Sequence, residues 1–283
     1  MKQHLNKQKG QGSGTHVETW SIVCPECQGE SKFEMWDCID AVENPELRER
    51  VIHDPTLFYY YCSHCYTKLP IGAPCLYLDR KRKVMVWLIP DAEMVISEDD
   101  LKRFFGPGSY ADYRCRIVRS WGEWREKIIE MESVYDDRLY ELIKCGALRL
   151  LKDEVRNSFY LPAYHVEYAD DHENKDELAL VFMKNDAERS GYVYPLSPKI
   201  MDLTKDIFES ILEHLPNTPA KGKFIDYGYH WAELVVNYVL EAAAKGKDDV
   251  FKQLISLWFY SMGKEIFQSE IDTGESSGTT QPS

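Results

Sequence analysis

Two C-x-x-C turns, Cys24-Pro25-Glu26-Cys27 and Cys62-Ser63-His64-Cys65, stand apart by the 34 residues from 28 to 61. Two cysteines three apart in a tight turn place both sulfurs on one side of the loop. A tetrahedral ion with metal–sulfur bonds of about 2.3 Å needs them there, and two such turns complete a set of four ligands. Backbone amides of the turns donate to the thiolates, so turn-forming residues such as Pro25, Gly29 and Ser63 suit these positions. The spacing therefore predicts one structural zinc ion on Cys24, Cys27, Cys62 and Cys65. A shell of four thiolates leaves no position for a water nucleophile, so such an ion holds the fold together. A rubredoxin-like iron site uses the same ligands, and His64 offers an imidazole inside the second turn. One pair acting as a redox dithiol is a further alternative, although no βαβ pattern surrounds either pair.

The rest of the chain bounds where this centre sits. With 283 residues, 44% of them hydrophobic, there is enough apolar surface for one large domain or two ordinary ones. The formal charge of −13 argues against broad attraction to phosphate. Met1–Gly14 lacks the apolar core of a secretory signal, and the apolar stretches Val84–Pro90 and Leu234–Leu240 are far shorter than the roughly 20 residues a spanning helix needs. The expectation is a cytoplasmic protein without membrane segments, its thiols reduced. The other four cysteines, Cys38, Cys75, Cys115 and Cys145, stand singly and read as small buried apolar residues.

Periodicity divides the chain into a flexible arm over 1–16, a ribbon domain over 17–150, an α+β region over 151–270 and a polar tail over 271–283. Strands are expected at Val17–Val23, Lys32–Ala41, Leu57–Tyr61 and Tyr113–Val118. A hairpin pairs Cys75–Leu78 with Val84–Ile89 across the polar turn Asp79–Lys83. Pro45–His53 reads as a helix capped by Asn44, and Ser97–Asp100 as a helix start leading to Leu101, Phe104 and Phe105. Ser120–Ile143 carries helical spacing with a break near Ser133. Beyond it come strand patterns at Leu161–Tyr168, Leu178–Met183 and Gly191–Tyr194, an acidic loop over Asp170–Glu177, and helices near Pro198–Leu215, Tyr229–Lys245 and Asp248–Phe267. The fold class is α+β: a β-rich zinc-ribbon domain elaborated by helices, followed by an α+β half that ends in helices.

The residues around the cysteines carry a family likeness. Cys24-Pro25-Glu26-Cys27, Phe33-Glu34, Trp36, Asp40, Asn44-Pro45-Glu46-Leu47 and Phe58 before Cys62-Ser63-His64-Cys65 resemble the CpXC domain family. The likeness continues through Tyr77, Asp79, Lys83-Val84-Met85, Pro90, Tyr113-Arg114, Arg116-Ile117-Val118, Glu126-Lys127-Ile128, Asp136-Asp137 and Glu141-Leu142-Ile143-Lys144, so it spans Trp20 to Gly146. The resemblance implies a zinc-ribbon fold of a bacterial and archaeal group and names no activity. Two departures stand out: Ser63 replaces the usual proline of the second turn, and Gln28 follows Cys27 where glycine is typical. Neither removes a ligand, and both are expected to loosen the turns.

Three other groups carry chemistry-bearing residues. Asp136, Asp137 and Glu141, with Glu126 and Glu130, form an acidic set, which Arg138 and Lys144 explain as surface charge on a helix. His165 with Glu167, and His172, suit acid–base work but lack a nucleophile or metal motif beside them. Arg80-Lys81-Arg82-Lys83, near Tyr77 and Trp87, is the dense basic run, read as a solvated hairpin tip with nucleic-acid contact as the alternative. Phe58-Tyr59-Tyr60-Tyr61 alternates faces, half packing inward and half available to a partner. The reading that follows is a non-enzymatic zinc-ribbon module that binds another macromolecule, a protein ahead of a nucleic acid; the alternative is an enzyme with its site in 161–267.

Overall fold

The computed structural model describes residues 14–91, 93, 110–159, 165–168, 177–185, 191–215 and 222–267. The arm over 1–13, the tail, the helix start at Ser97–Asp100, the stretch 161–164 and most of the acidic loop, with His172, lie outside the described residues.

In chain order the elements are β1 (His16–Val23), β2 (Glu30–Asp40), α1 (Pro45–His53), a 3-10 turn (Pro55–Phe58), β3 (Tyr59–Tyr61), β4 (Lys68–Pro70), β5 (Cys75–Asp79), β6 (Val84–Leu88) and β7 (Arg114–Val118). They continue with α2 (Trp121–Glu132), α3 (Asp137–Leu150), α4 (Asp153–Arg156), β8 (His165–Tyr168), β9 (Leu178–Met183) and β10 (Gly191–Pro195). The last are α5 (Pro198–His214), β11 (Phe224–Ile225), α6 (Tyr229–Lys245) and α7 (Asp249–Ile266). The class is α+β, with strands gathered in the N-terminal part and helices at the C-terminal end. No helix among the described residues is long and apolar enough to cross a membrane.

The chain divides into two compact units, Met1–Arg125 with Ala220–Ile225, and Glu126–Pro219 with Asp226–Ser283. The first is built on a mixed six-stranded sheet in the order β1-β2-β5-β6-β7-β11, with a separate β3-β4 hairpin. Every residue of β5 is buried, and β6 is buried except at Trp87, as expected of central strands covered on both faces. Trp124 is fully buried; its indole donates to the Val86 carbonyl at 2.9 Å, and its ring meets Phe58 and Tyr77 edge-on at 5.3 and 6.2 Å.

Details of the sequence reading change here. The strand expected from Leu57 begins at Tyr59, because the chain first makes a 3-10 turn capped by Asp54, whose carboxylate accepts from the Thr56 amide at 2.9 Å. Asn44 does not cap α1 through its side chain; that amide donates to Glu46 instead. The strands β4 and β11 and the short α4 are additional elements, each too short for periodicity to register.

In the second unit a three-stranded antiparallel sheet, β10-β9-β8, accompanies the helices. Helix α3 is buried at every position from Leu139 to Leu148. Trp258 of α7 is fully buried, stacks edge-on with Phe208 at 4.8 Å and donates to Thr204 Oγ1 at 2.9 Å, while Thr204 in turn donates to the Ile200 carbonyl.

Trp124→Ala removes an aromatic anchor and leaves the Val86 carbonyl without its donor. The expected loss is about 3–5 kcal/mol by chemical denaturation; a loss below about 1 kcal/mol would show that the ring is not an anchor of this core.

Candidate metal centre

Each C-x-x-C turn sits at the tip of a β-hairpin, and the two tips repeat one design. In the first, β1 pairs antiparallel with β2 up to Val23 opposite Glu30. The Cys24 amide then donates to the Gly29 carbonyl at 3.0 Å, and the Gln28 amide donates to the Cys24 carbonyl at 2.9 Å. In the second, β3 pairs with β4 up to Tyr61 opposite Lys68. Here the Cys62 amide donates to the Thr67 carbonyl at 3.0 Å and the Tyr66 amide to the Cys62 carbonyl at 2.9 Å. The residue after each second cysteine takes the left-handed conformation, Gln28 at φ 59° and Tyr66 at φ 61°.

The two tips face each other. Cys24 Sγ lies 3.6 Å from Cys65 Sγ and Cys27 Sγ lies 3.6 Å from Cys62 Sγ, and all four sulfurs fall within 4.8 Å of one another. A tetrahedron with bonds of about 2.3 Å has edges of about 3.8 Å, so the sulfur arrangement fits a four-coordinate thiolate metal. Cys24 and Cys62 are buried, whereas Cys27 and Cys65 are exposed.

The electrostatics follow from the donors. Burial opposes ionisation of Cys62, but the amides of Cys65 and His64 outweigh it and bring the thiol down to about 5. The His64 amide is 3.4 Å from that sulfur. The Thr67 hydroxyl, 3.2 Å away, and the Thr67 amide lower Cys65. The Gly29 amide pulls Cys27 down, but contacts with the sulfurs of Cys65, Cys62 and Cys24, together with burial, prevail and push it up to about 12. Full ionisation of all four thus calls for a balancing cation, and these four residues would hold one.

The two departures from the family pattern do not loosen the turns in the expected way. The Gln28 side-chain amide donates to the Pro25 carbonyl at 3.0 Å, bracing its own turn. Ser63 Oγ lies 3.0 Å from Ser31 Oγ, and its amide also reaches Ser31, so serine ties one tip to the other. His64 is not among the metal-facing groups: its Nε2 lies 3.1 Å from the Glu30 carbonyl oxygen. The ring packs so closely on Gly29 that a Cβ there would meet His64 Cδ2 at 2.6 Å, which explains the glycine.

Of the single cysteines, Cys75, Cys115 and Cys145 are buried as expected, and Cys38 is half-buried. Burial, reinforced by Asp37, pushes the Cys38 thiol up to about 12, away from reactivity. The basic run is not an open patch. Arg80 pairs with the buried Asp40, Arg82 with Asp79 at 2.7 Å, and Lys83 with Asp112 at 3.4 Å, while Asp79 Oδ1 also accepts the Lys81 and Arg82 amides. His165 and Glu167 lie on β8. Among the described residues, the other cluster of metal-ligating side chains is His16, Glu18 and Asp37, in which His16 Nδ1 lies 2.8 Å from Asp37 Oδ1 and Glu18 accepts from the Trp20 indole.

The acidic set corrects the sequence reading most. Glu126, Glu130, Asp137 and Glu141 are not surface charges; with Lys127 and Lys144 they are at most 8% exposed. Lys127 Nζ donates to Glu130 Oε2 at 2.6 Å, Glu141 Oε1 at 2.7 Å and the Tyr227 carbonyl at 3.0 Å. Lys144 Nζ meets Glu126 Oε1 at 2.6 Å, Glu141 Oε1 at 2.9 Å and Glu130 Oε1 at 3.2 Å. Glu126 Oε1 also accepts the Val166 amide at 2.8 Å. Four carboxylates converge on two ammonium groups, an arrangement that clamps α2 to α3 and ties strand β8 to the clamp. Only Asp136 behaves as foreseen, capping α3 and pairing with Arg138 at 2.8 Å.

Two predictions follow from this geometry. Tyr66 is 82% exposed, so Tyr66→Gly relieves left-handed strain at little cost in burial. The expected gain is about 0.5–1 kcal/mol, and a loss of stability would contradict the strain. Burial raises Glu130 from 4.5 to about 8, helped by the charges of Glu141 and Glu126 and opposed by Lys127 and Lys144. A carboxyl raised in the fold stabilises it fully below its ordinary value and loses that contribution as pH climbs through the folded value. Measured by denaturant unfolding between pH 4.5 and 8, Glu130→Gln should therefore gain on the wild type as pH rises; parallel pH profiles would refute the assignment.

No curated protein and no solved structure matches the chain. Residues 22–144, with all four clustered cysteines among them, do match the model of the family described as CpXC protein.

Proposed function

We propose that the chain is a cytoplasmic, non-enzymatic protein-binding module whose ribbon is held by one structural zinc ion on Cys24, Cys27, Cys62 and Cys65. Four thiolates suit zinc and close the shell, so the ion serves as scaffold and binding falls to the surface that the scaffold presents.

The observation that carries this reading is Tyr66. A bulky residue in the left-handed region is costly, and at 82% exposure its ring returns little of that cost through packing. A glycine there would relieve the backbone. A strained and exposed aromatic at the tip of a rigid metal turn is what a recognition anchor requires, since tyrosines concentrate among the residues that dominate protein interfaces. Tyr61, 45% exposed, and Val23, 57% exposed, stand on the strands that lead into the two turns. Lys68 sits over the Tyr59 and Tyr61 rings at 4.0 and 5.7 Å, which holds the aromatic face in place. The nucleic-acid reading has less support, because the basic run spends its charge on Asp40, Asp79 and Asp112 and the chain carries a net −13.

Tyr61→Ser with Tyr66→Ser should abolish capture of specific protein partners by the full-length chain while its metal content stays as in the wild type. An unchanged set of captured proteins, or salt-sensitive retention on DNA in place of protein capture, would overturn the proposal.

A further inference from the structure

Tyr60 is the fully buried member of the aromatic run, packed with Cys24 and Cys62 in one apolar cluster that Ile22, Phe33, Leu69 and Ile71 complete. Phe33 meets its ring edge-on at 6.3 Å. Its hydroxyl lies beside Cys62 and Ser31, yet makes no hydrogen bond of good geometry with either. A buried phenol without a partner is uncommon, because such a group forfeits its hydration for nothing. The neighbours narrow the choice of partner. Ser31 Oγ already pairs with Ser63 Oγ at 3.0 Å and lies 3.4 Å from the Ser63 amide. Cys62 Sγ takes backbone donors from the turn, the His64 amide at 3.4 Å and the Cys65 amide, but, among the described residues, no donor from the side chains of the core. A metal-bound thiolate accepts more than one hydrogen bond, and its charge makes it a stronger acceptor for a phenol than a neutral serine hydroxyl is.

We infer that the Tyr60 hydroxyl donates to the metal-bearing thiolate of Cys62, making Tyr60 a positioning residue of the metal centre and not only a core aromatic. The inference rests on the four-cysteine metal reading and adds to it. The buried sulfur would then carry the Tyr60 hydroxyl beside the His64 and Cys65 amides, which together disperse its charge where water cannot reach. Outer donors of this kind orient ligands and commonly change metal affinity about 10–100-fold when removed.

Cobalt(II) added to the metal-stripped full-length protein gives the test, since sulfur-to-cobalt charge transfer reports electron density on the thiolates. Tyr60→Phe keeps the ring and removes the donor. The charge-transfer band should move to lower energy, and a competing chelator should strip cobalt at about tenfold lower concentration. Phe33→Leu disturbs the same packing without touching the hydroxyl and should leave the band in place. A Tyr60→Phe protein with unchanged band and retention overturns the inference, as does a band shift matched by Phe33→Leu. A wild-type protein showing no thiolate-to-cobalt band overturns the metal reading itself, so the two failures are told apart.

Discussion

Everything in the first unit's ribbon depends on four sulfurs being brought within 4.8 Å of one another by two hairpin tips far apart in sequence. The β3-β4 hairpin has three residues on each side, and a hairpin of that size is not stable in water by itself. Its inward residues Tyr60 and Leu69 pack with Cys24, Phe33 and Ile22 of the longer hairpin, a small apolar contact that ends at the metal-facing sulfurs. A bound ion adds the binding free energy that such a contact lacks, and that energy becomes folding energy because the site does not exist in the unfolded chain. The cross-links between the tips, Ser31 to Ser63 and His64 to the Glu30 carbonyl, set their relative orientation.

The second unit solves a different problem. Lys127 and Lys144 lie among four buried carboxylates, and burial favours retention of a proton on Glu130 against the pull of the two ammonium groups. Such networks stabilise little compared with apolar packing of equal volume, yet removing one member is costly because the rest stay buried and uncompensated. Their role is to fix which faces of α2 and α3 meet. Metal turns and charge clamp share one property: both are devices that specify geometry from within, while Tyr66 and Tyr61 stand exposed outside them.

How much could be read in advance depended on whether the determinant was local. The thiolate set was legible because the C-x-x-C spacing is itself the geometry of a metal turn. β5 and β6 were legible because unbroken apolar runs have few other uses. Glu126, Glu130, Asp137 and Glu141 were misread because spacings of four between charges look the same on a solvated helix and inside a clamp; only the approach of Lys127 and Lys144 tells them apart. Gln28 and Ser63 were read as weakening because the side-chain bonds that compensate them, to Pro25 and Ser31, are specified by the folded turns and not by residue type. The short β4 and β11 exist through their neighbours, β11 pairing with Cys115 and Arg116 of β7.

The central claim is that the four cysteines bind one ion on which the ribbon depends. Elemental analysis of the full-length protein, purified without added metal, measures it directly. The account predicts about one zinc per chain in the wild type and loss of that zinc, with a destabilised fold, in Cys62→Ser. A Cys62→Ser protein that keeps its full zinc would contradict it.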